Sequence, residues 1–309
     1  MNKLEANLML FFITFYAAIQ YAFLAGVPED ISQFSFLFIT NLVGFLIMLL
    51  FFFGELFRLD KIQVVQSLVL ALELIGVNVF MLSGSAAAGA MVSASVLSAY
   101  FALIPLVNLL FFKQKPDKKI VPGILIVLLG LFFMMNADFA GLFNKGVLFL
   151  LIADFFFALY ILTLERYSVT SNPAILSMGQ MFFSAVFAFV FWAIECLIRK
   201  RGMLLPSAPA FWGGVIYISF FIRGLYGIVQ IYALRYVSAF NTALIFSTEI
   251  IMTMLMSPVL ALLFGTTADP ISPLRALGAL VMVAGILLSD SSISDRVLSK
   301  LSVLRKEAP

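Results

Sequence analysis

"VNVFMLSGSAAAGA" (residues 77–90) and "VQIYALRYVSAFNTA" (residues 229–243) read as one passage written twice. VNVF at 77–80 falls on VQIY at 229–232 with a spacing of 152, and after a one-residue slip SAAAGA at 85–90 falls on SAFNTA at 238–243. The spacing of 153 then persists: Pro105 meets Pro258, and LLF at 109–111 meets LLF at 262–264. Two further inserted residues bring Gly123 onto Gly278 and Gly130 onto Gly285. Single matches carry little weight in a chain so rich in Leu, Ala and Phe. Their common order across three successive apolar segments marks an internal duplication.

The 309 residues are 63% hydrophobic and 11% charged, against about 45–50% and about 25% in soluble domains. This is the composition of a polytopic membrane protein. A ruler of about 20 apolar residues per crossing gives ten spans: 6–25, 32–55, 62–83, 88–112, 120–138, 146–166, 174–198, 208–234, 238–264 and 272–289. Turn or charge signals separate them, among them GVPED (26–30), KQKPDKK (113–119), TSNP (170–173), RKRG (199–202) and TTADP (266–270). The first span exceeds the core of about 7–15 residues of a signal peptide and is expected to stay in the mature chain.

The duplication divides the chain into residues 1–142, 143–290 and a tail, 291–309. Each repeat holds five spans, an odd number, so the second copy must enter the membrane upside down. The fold expected is therefore all-α, ten transmembrane helices as two inverted five-helix repeats, the arrangement of alternating-access carriers with midplane binding sites. With the N-terminus inside, thirteen Lys and Arg fall in inside segments and five outside. Both termini are thus expected to be cytoplasmic, in the cytoplasmic (inner) membrane. Arg199, Lys200 and Arg201 run against this rule. In the tail, Val297, Leu298, Leu301 and Leu304 share a helical side, read either as lying along the anionic membrane face or as disordered.

Histidine is absent and Cys196 is the single cysteine. That removes disulfides, His or Cys metal sites and His-activated nucleophiles. No metal, cofactor, catalytic residue or nucleic-acid partner is expected, and any proton carrier within the membrane must be a carboxylate. No Walker-type loop is present, so an ion gradient or exchange is the expected driving force.

Four ionisable residues fall inside spans: Glu73, Asp154, Arg223 and Glu249. Asp and Arg at a helix centre cost about 2.5–3.5 kcal/mol on insertion scales, and such residues face cavities or partners. On the eighth span Ser219, Arg223, Tyr226 and Gln230 recur at steps of 4, 3 and 4; on the ninth, Thr242, Phe246, Glu249, Thr253 and Met256 share a face. Glu73 aligns with Gly76 and Phe80, and Tyr16 with Gln20. These residues are the expected substrate or coupling site. The competing reading pairs Arg223 with Glu249 or Glu73 merely to pin helices. The charges do not repeat: Glu249 corresponds to Val96 and Glu73 to Leu225. They belong to a task rather than to the shared scaffold. Three acids and one base suit a zwitterionic or amine-bearing solute with its carboxylate on Arg223, or an acid that carries a proton; one arginine is a poor phosphate clamp.

Ala86, Ala90, Ala94, Ser98 and Ala102 form a small-residue stripe on the fourth span, and Gly123/Gly130 and Gly278/Gly285 do so on the fifth and tenth, as close helix packing requires. Pro105 and Pro258 each remove a backbone hydrogen bond and are candidate hinges.

YALRYVSAFNTALI (232–245) followed by Pro258, with Gly278 and Gly285, resembles the EamA-type branch of the drug/metabolite transporter superfamily. The resemblance covers essentially the whole chain as topology. It implies export or import of small metabolites through a cavity walled by spans 3, 4, 8 and 9 with 1 and 6, and makes a homodimer through the small-residue faces conceivable. Many members place a glutamate after spans 4 and 9; this chain has FFKQK and LLFGTTAD instead. The expected function is secondary active transport of an amino acid or amine-bearing solute by alternating access, driven by an ion gradient, with protons a candidate coupling ion, or by exchange. Against it stand an exporter of lipophilic cationic drugs, a channel or sensor, and an intramembrane enzyme, which the lack of clustered acids in the loops disfavours.

Overall fold

A computed structural model describes residues 1–25, 31–88, 93, 96–115, 118–135, 144–200, 202–203, 205–207, 209–264 and 271–289. Among these, ten helical segments follow one another: α1 Lys3–Ala25, α2 Gln33–Phe52, α3 Lys61–Ala88, α4 Tyr100–Phe112, α5 Val121–Met134, α6 Lys145–Thr170, α7 Pro173–Arg199, then α8, α9 and α10. α8 joins an α-helical piece, Pro209–Tyr217, to a π-helical stretch, Ile218–Tyr226, and a final α-turn, Gly227–Ala233. α9 has two arms, Ala239–Phe246 and Glu249–Phe264, and α10 is Pro273–Ser289. Among the described residues six stretches are long and apolar enough to cross a membrane; α4, α5 and α10 are shorter.

Local chemistry sets the ends. Asn144, Asn172 and Ser238 cap α6, α7 and α9 by accepting from backbone N–H groups of Gly146, Ala174 and Asn241. Pro173 occupies the first turn of α7, where its missing N–H costs nothing. Lys113 (φ 56°) and Lys200 (φ 51°) take the left-handed conformation that terminates α4 and α7. Thus TSNP, KQKPDKK and RKRG act as breaks, as expected.

The packing is reciprocal. α3 packs on α6 and α7, while α8 packs on α1 and α2; α4 packs on α6, while α9 packs on α1; α2 meets α7 and α5 meets α10. The α5–α10 contact is backbone to backbone. A Cβ built on Gly130 lies 2.7 Å from Met282 N and 2.8 Å from Gly278 O, and one on Gly285 lies 2.9 Å from Gly123 O. All four glycines are consumed inside one chain. The small faces that made a homodimer conceivable are therefore occupied by each other.

Two other expectations change. Ala86 belongs to α3, which runs five residues past the expected end, so it cannot share a stripe on α4; Ala90 and Ala94 lie outside the described residues, as does the tail 290–309. The interruptions of the fourth and ninth spans are not at the prolines. They fall at the turns Ser98–Ala99 and Ser247–Thr248, whereas Pro105 and Pro258 lie within helix. The hinge assignment becomes a direct test: changing both prolines to Ala is expected to slow transport while substrate binding persists, and unchanged rates in proteoliposomes would remove it.

Candidate functional site

A central cavity of about 130 Å³ lies where α1, α2, α3, α4, α6, α7, α8 and α9 converge. Its size is comparable to the ~150 Å³ engineered cavity that holds benzene. The interrupted elements meet here. Leu97, Ser98 and Tyr100 flank the break in the fourth span; Phe246 and Glu249 flank that in α9; Ile222, Arg223 and Tyr226 come from the π-helical stretch of α8. Broken helices that line a cavity are a signature of carrier binding sites, and π turns recur at functional sites.

Arg223 is the cation of the wall. Gly44 on α2 makes room for its stem, since a Cβ there would lie 2.6 Å from Arg223 Cβ. Its Nη2 donates to Asn78 Oδ1 at 2.9 Å, and Asn78 Nδ2 donates to Leu74 O at 2.6 Å, so the guanidinium is oriented by a neutral amide that is itself held. Buried Nε finds no hydrogen-bond partner among the described residues. Arg223 makes no ion pair there, so the reading in which it pins helices through Glu249 or Glu73 is not realised. Around it stand Gln230, whose buried Nε2 lacks a partner among the described residues, and Gln180, which accepts from Tyr160 Oη at 3.2 Å. Aromatic rings complete the wall: Tyr226 on Phe246 (5.2 Å), Tyr100 on Phe157 (4.6 Å) and Phe157 stacked on Tyr160 (6.0 Å).

Of the expected site residues, Glu249, Arg223, Tyr226, Gln230, Gln20 and Phe246 line the cavity. Four do not. Glu73 faces α6 and accepts from Thr163 Oγ1 at 2.9 Å; Phe80 stacks on Phe156 (5.9 Å), whose ring also fills the notch at Gly76. That face of α3 is its contact with α6, and the cavity is lined instead by Leu74, Val77, Asn78 and Met81. Tyr16 stacks on Phe221 (4.9 Å), sealing α1 against α8. Asp154 is wholly buried behind the wall.

Asn41, Asn78, Gln180, Tyr100 and Tyr160 are wall residues that intramembrane charge does not mark. For Asn78 a signal existed: at the spacing of 152 it corresponds to Gln230. Both amides line the cavity. Beyond the Gln230 end, polar ties join the chain. Arg235 Nε and Nη2 donate to Ser168 O (2.6 Å) and Ser171 O (2.7 Å), Ser171 Oγ donates to Gln66, and Asn172 Nδ2 donates to Glu55 (2.7 Å).

These features define an all-helical, multi-pass membrane protein with a small charged cavity at its centre. Residues 144–289, a little under half of the chain, match the model of the EamA-like transporter family. The chain is 29% identical over 199 residues to an uncharacterized transporter of Archaeoglobus fulgidus, a match covering 63% of this chain and 58% of that protein's length. A solved crystal structure of a protein, 16% identical, superposes with a TM-score of 0.66 over 94% of this chain and 97% of its own, a likeness of fold.

Proposed function

We propose that the protein is a secondary carrier for a small zwitterionic solute of the amino-acid type. The observation that carries this is Arg223: an arginine in the cavity wall, held by Asn78, without an ion pair among the described residues, on the neighbouring helix to Glu249, which shares the cavity. A guanidinium recognises a carboxylate by paired, charge-assisted hydrogen bonds. Glu249 is the matching site for an ammonium group. The same guanidinium opposes a lipophilic cation, and the cavity is small for a bulky drug, so the cationic-drug reading is disfavoured.

Alternating access by two inverted repeats, residues 1–142 and 143–290, is part of the reading. Its support is the reciprocal packing, in which α3–α6 and α8–α1, or α4–α6 and α9–α1, exchange under a two-fold while α2–α7 and α5–α10 map onto themselves. The ties around Arg235 serve as the closed end of the cavity. Both termini are assigned to the cytoplasmic side by the Lys/Arg bias. The dimer finds no support in the packing.

The test is counterflow in proteoliposomes with radiolabelled proteinogenic L-amino acids, polyamines, nucleosides and quaternary amines. Saturable counterflow of amino acids alone is expected. Counterflow of quaternary amines alone would transfer the protein to the cationic-drug class, and counterflow of none would sink the reading. Glu249→Gln is expected to reduce amino-acid counterflow sharply, because a neutral amide gives up the charge-assisted bond to the ammonium group.

A further inference from the structure

We infer that Asp154, behind the cavity wall, is the site that binds and releases the coupling proton. This rests on the carrier reading above and adds to it the identity of the coupling residue.

Asp154 lies within α6, nine residues from its start, with none of its surface exposed, and neither carboxyl oxygen has a hydrogen-bond partner among the described residues. The carboxylate form would stand in a hydrocarbon-like interior without a donor, a state that buried carboxylates avoid by pairing or by holding a proton. One helical turn along, Phe157 packs on Tyr100, whose ring belongs to the cavity wall and whose buried hydroxyl also has no hydrogen-bond partner among the described residues. Tyr100 interacts electrostatically with both Asp154 and Glu249. Tyr100, which follows the Ser98–Ala99 turn of the fourth span, thus connects the surroundings of the aspartate with the cavity wall.

The other groups around α6 do not take this part. From α3, Glu73 is bonded to Thr163, nine residues further along α6, or about 13 Å at 1.5 Å per residue. From α8, Arg223 is turned to Asn78, and Tyr226 packs on Phe246. From α9, Glu249 lies in the cavity, where the solute's ammonium group belongs. On α6 itself, Tyr160 donates to Gln180, and Glu165 accepts from the Ala239 N–H at the start of α9.

In one half-cycle a proton from water on the acidic side adds to the Asp154 carboxylate. In the other the carboxyl O–H bond breaks, the proton passes to water on the opposite side, and the carboxylate is restored. Charge and atoms balance at one proton per cycle.

Two measurements test this. Infrared difference spectra of the reconstituted protein between acidic and alkaline pH need no solute. A protonated-carboxyl band is expected that is lost in Asp154→Asn and shifted, but retained, in Asp154→Glu. An identical band in wild type and Asp154→Asn overturns the assignment. Proteoliposomes are then given a radiolabelled mixture of the proteinogenic L-amino acids. At one proton per solute, a gradient of one pH unit supports about tenfold accumulation, because one unit is worth about 1.36 kcal/mol. Wild type is expected to reach it and Asp154→Asn to stop at equilibration, a far greater loss than in its counterflow. Accumulation by Asp154→Asn at the wild-type level overturns the inference. Absence of any wild-type counterflow would instead count against the carrier reading, leaving the infrared result to judge Asp154. Should Asp154→Asn fail to fold, Asp154→Glu decides: an unshifted carboxyl band overturns the assignment.

Discussion

Arg223→Ala is expected to weaken binding of the transported amino acid by about 30-fold to a few thousand-fold. Removing one partner of a buried, hydrogen-bonded charge pair costs about 2–5 kcal/mol, and each 1.4 kcal/mol is a factor of ten. The fold should survive. The substitution leaves Asn78 Oδ1 without its donor, a penalty of about 1–3 kcal/mol, and opens space beside Gly44 rather than overfilling it. Arg223→Lys is the informative companion. It keeps the charge but loses the planar fork, so it should fall between wild type and Ala. Competition of unlabelled amino acids for counterflow, read as half-inhibition, is the measurement. An Arg223→Ala protein with wild-type half-inhibition would remove the carboxylate from the cavity and the zwitterion with it.

Gly130→Val is expected to destroy the folded protein rather than tune it. Its added carbon would press on Met282 N and Gly278 O, which are backbone atoms that cannot rotate away. α5 and α10 would have to separate along their whole contact. Without water, helix association depends on such close packing, and overpacking alone costs about 1–3 kcal/mol, occasionally more. Gly54→Ala and Gly213→Ala are the controls, because a Cβ at either position meets nothing within 4 Å. Yield of monodisperse protein and the thermal midpoint in detergent are the readouts. Controls that fail as badly as Gly130→Val, or a Gly130→Val that matches wild type, would contradict this account of the α5–α10 contact.

The ten spans were legible because lipid demands long apolar helices, and hydropathy records that demand directly. The bearing of each helix was not. Glu73 and Asn78 sit on the same helix within two turns, yet the first faces α6 and the second the cavity. Neighbouring faces of a helix differ by a rotation of one residue, and a span that is apolar all round offers no polar side from which to set it. Charge and helical alignment singled out Arg223 and Glu249, which line the cavity, and equally Glu73 and Phe80, which face α6. The repeat was the better instrument, because matching Asn78 to Gln230 selects the cavity face without reference to charge. The π-helical stretch of α8 left no trace, since ISFFIRGLY (218–226) contains nothing that an α-helix would refuse.

That stretch bears on how α8 tolerates insertions and deletions. Deleting one residue from an ordinary α-helix swings everything beyond it by about 100° around the axis. A wider turn closed by i→i+5 bonds already stores a residue in surplus of α pitch. Loss of one residue between 218 and 226 can therefore rewind the stretch and leave Gly227–Ala233 in phase with its neighbours. Only the residues inside it change bearing, Arg223 among them. The guanidinium is mounted on the one part of α8 whose length can vary by a residue while the rest of the scaffold stays in register.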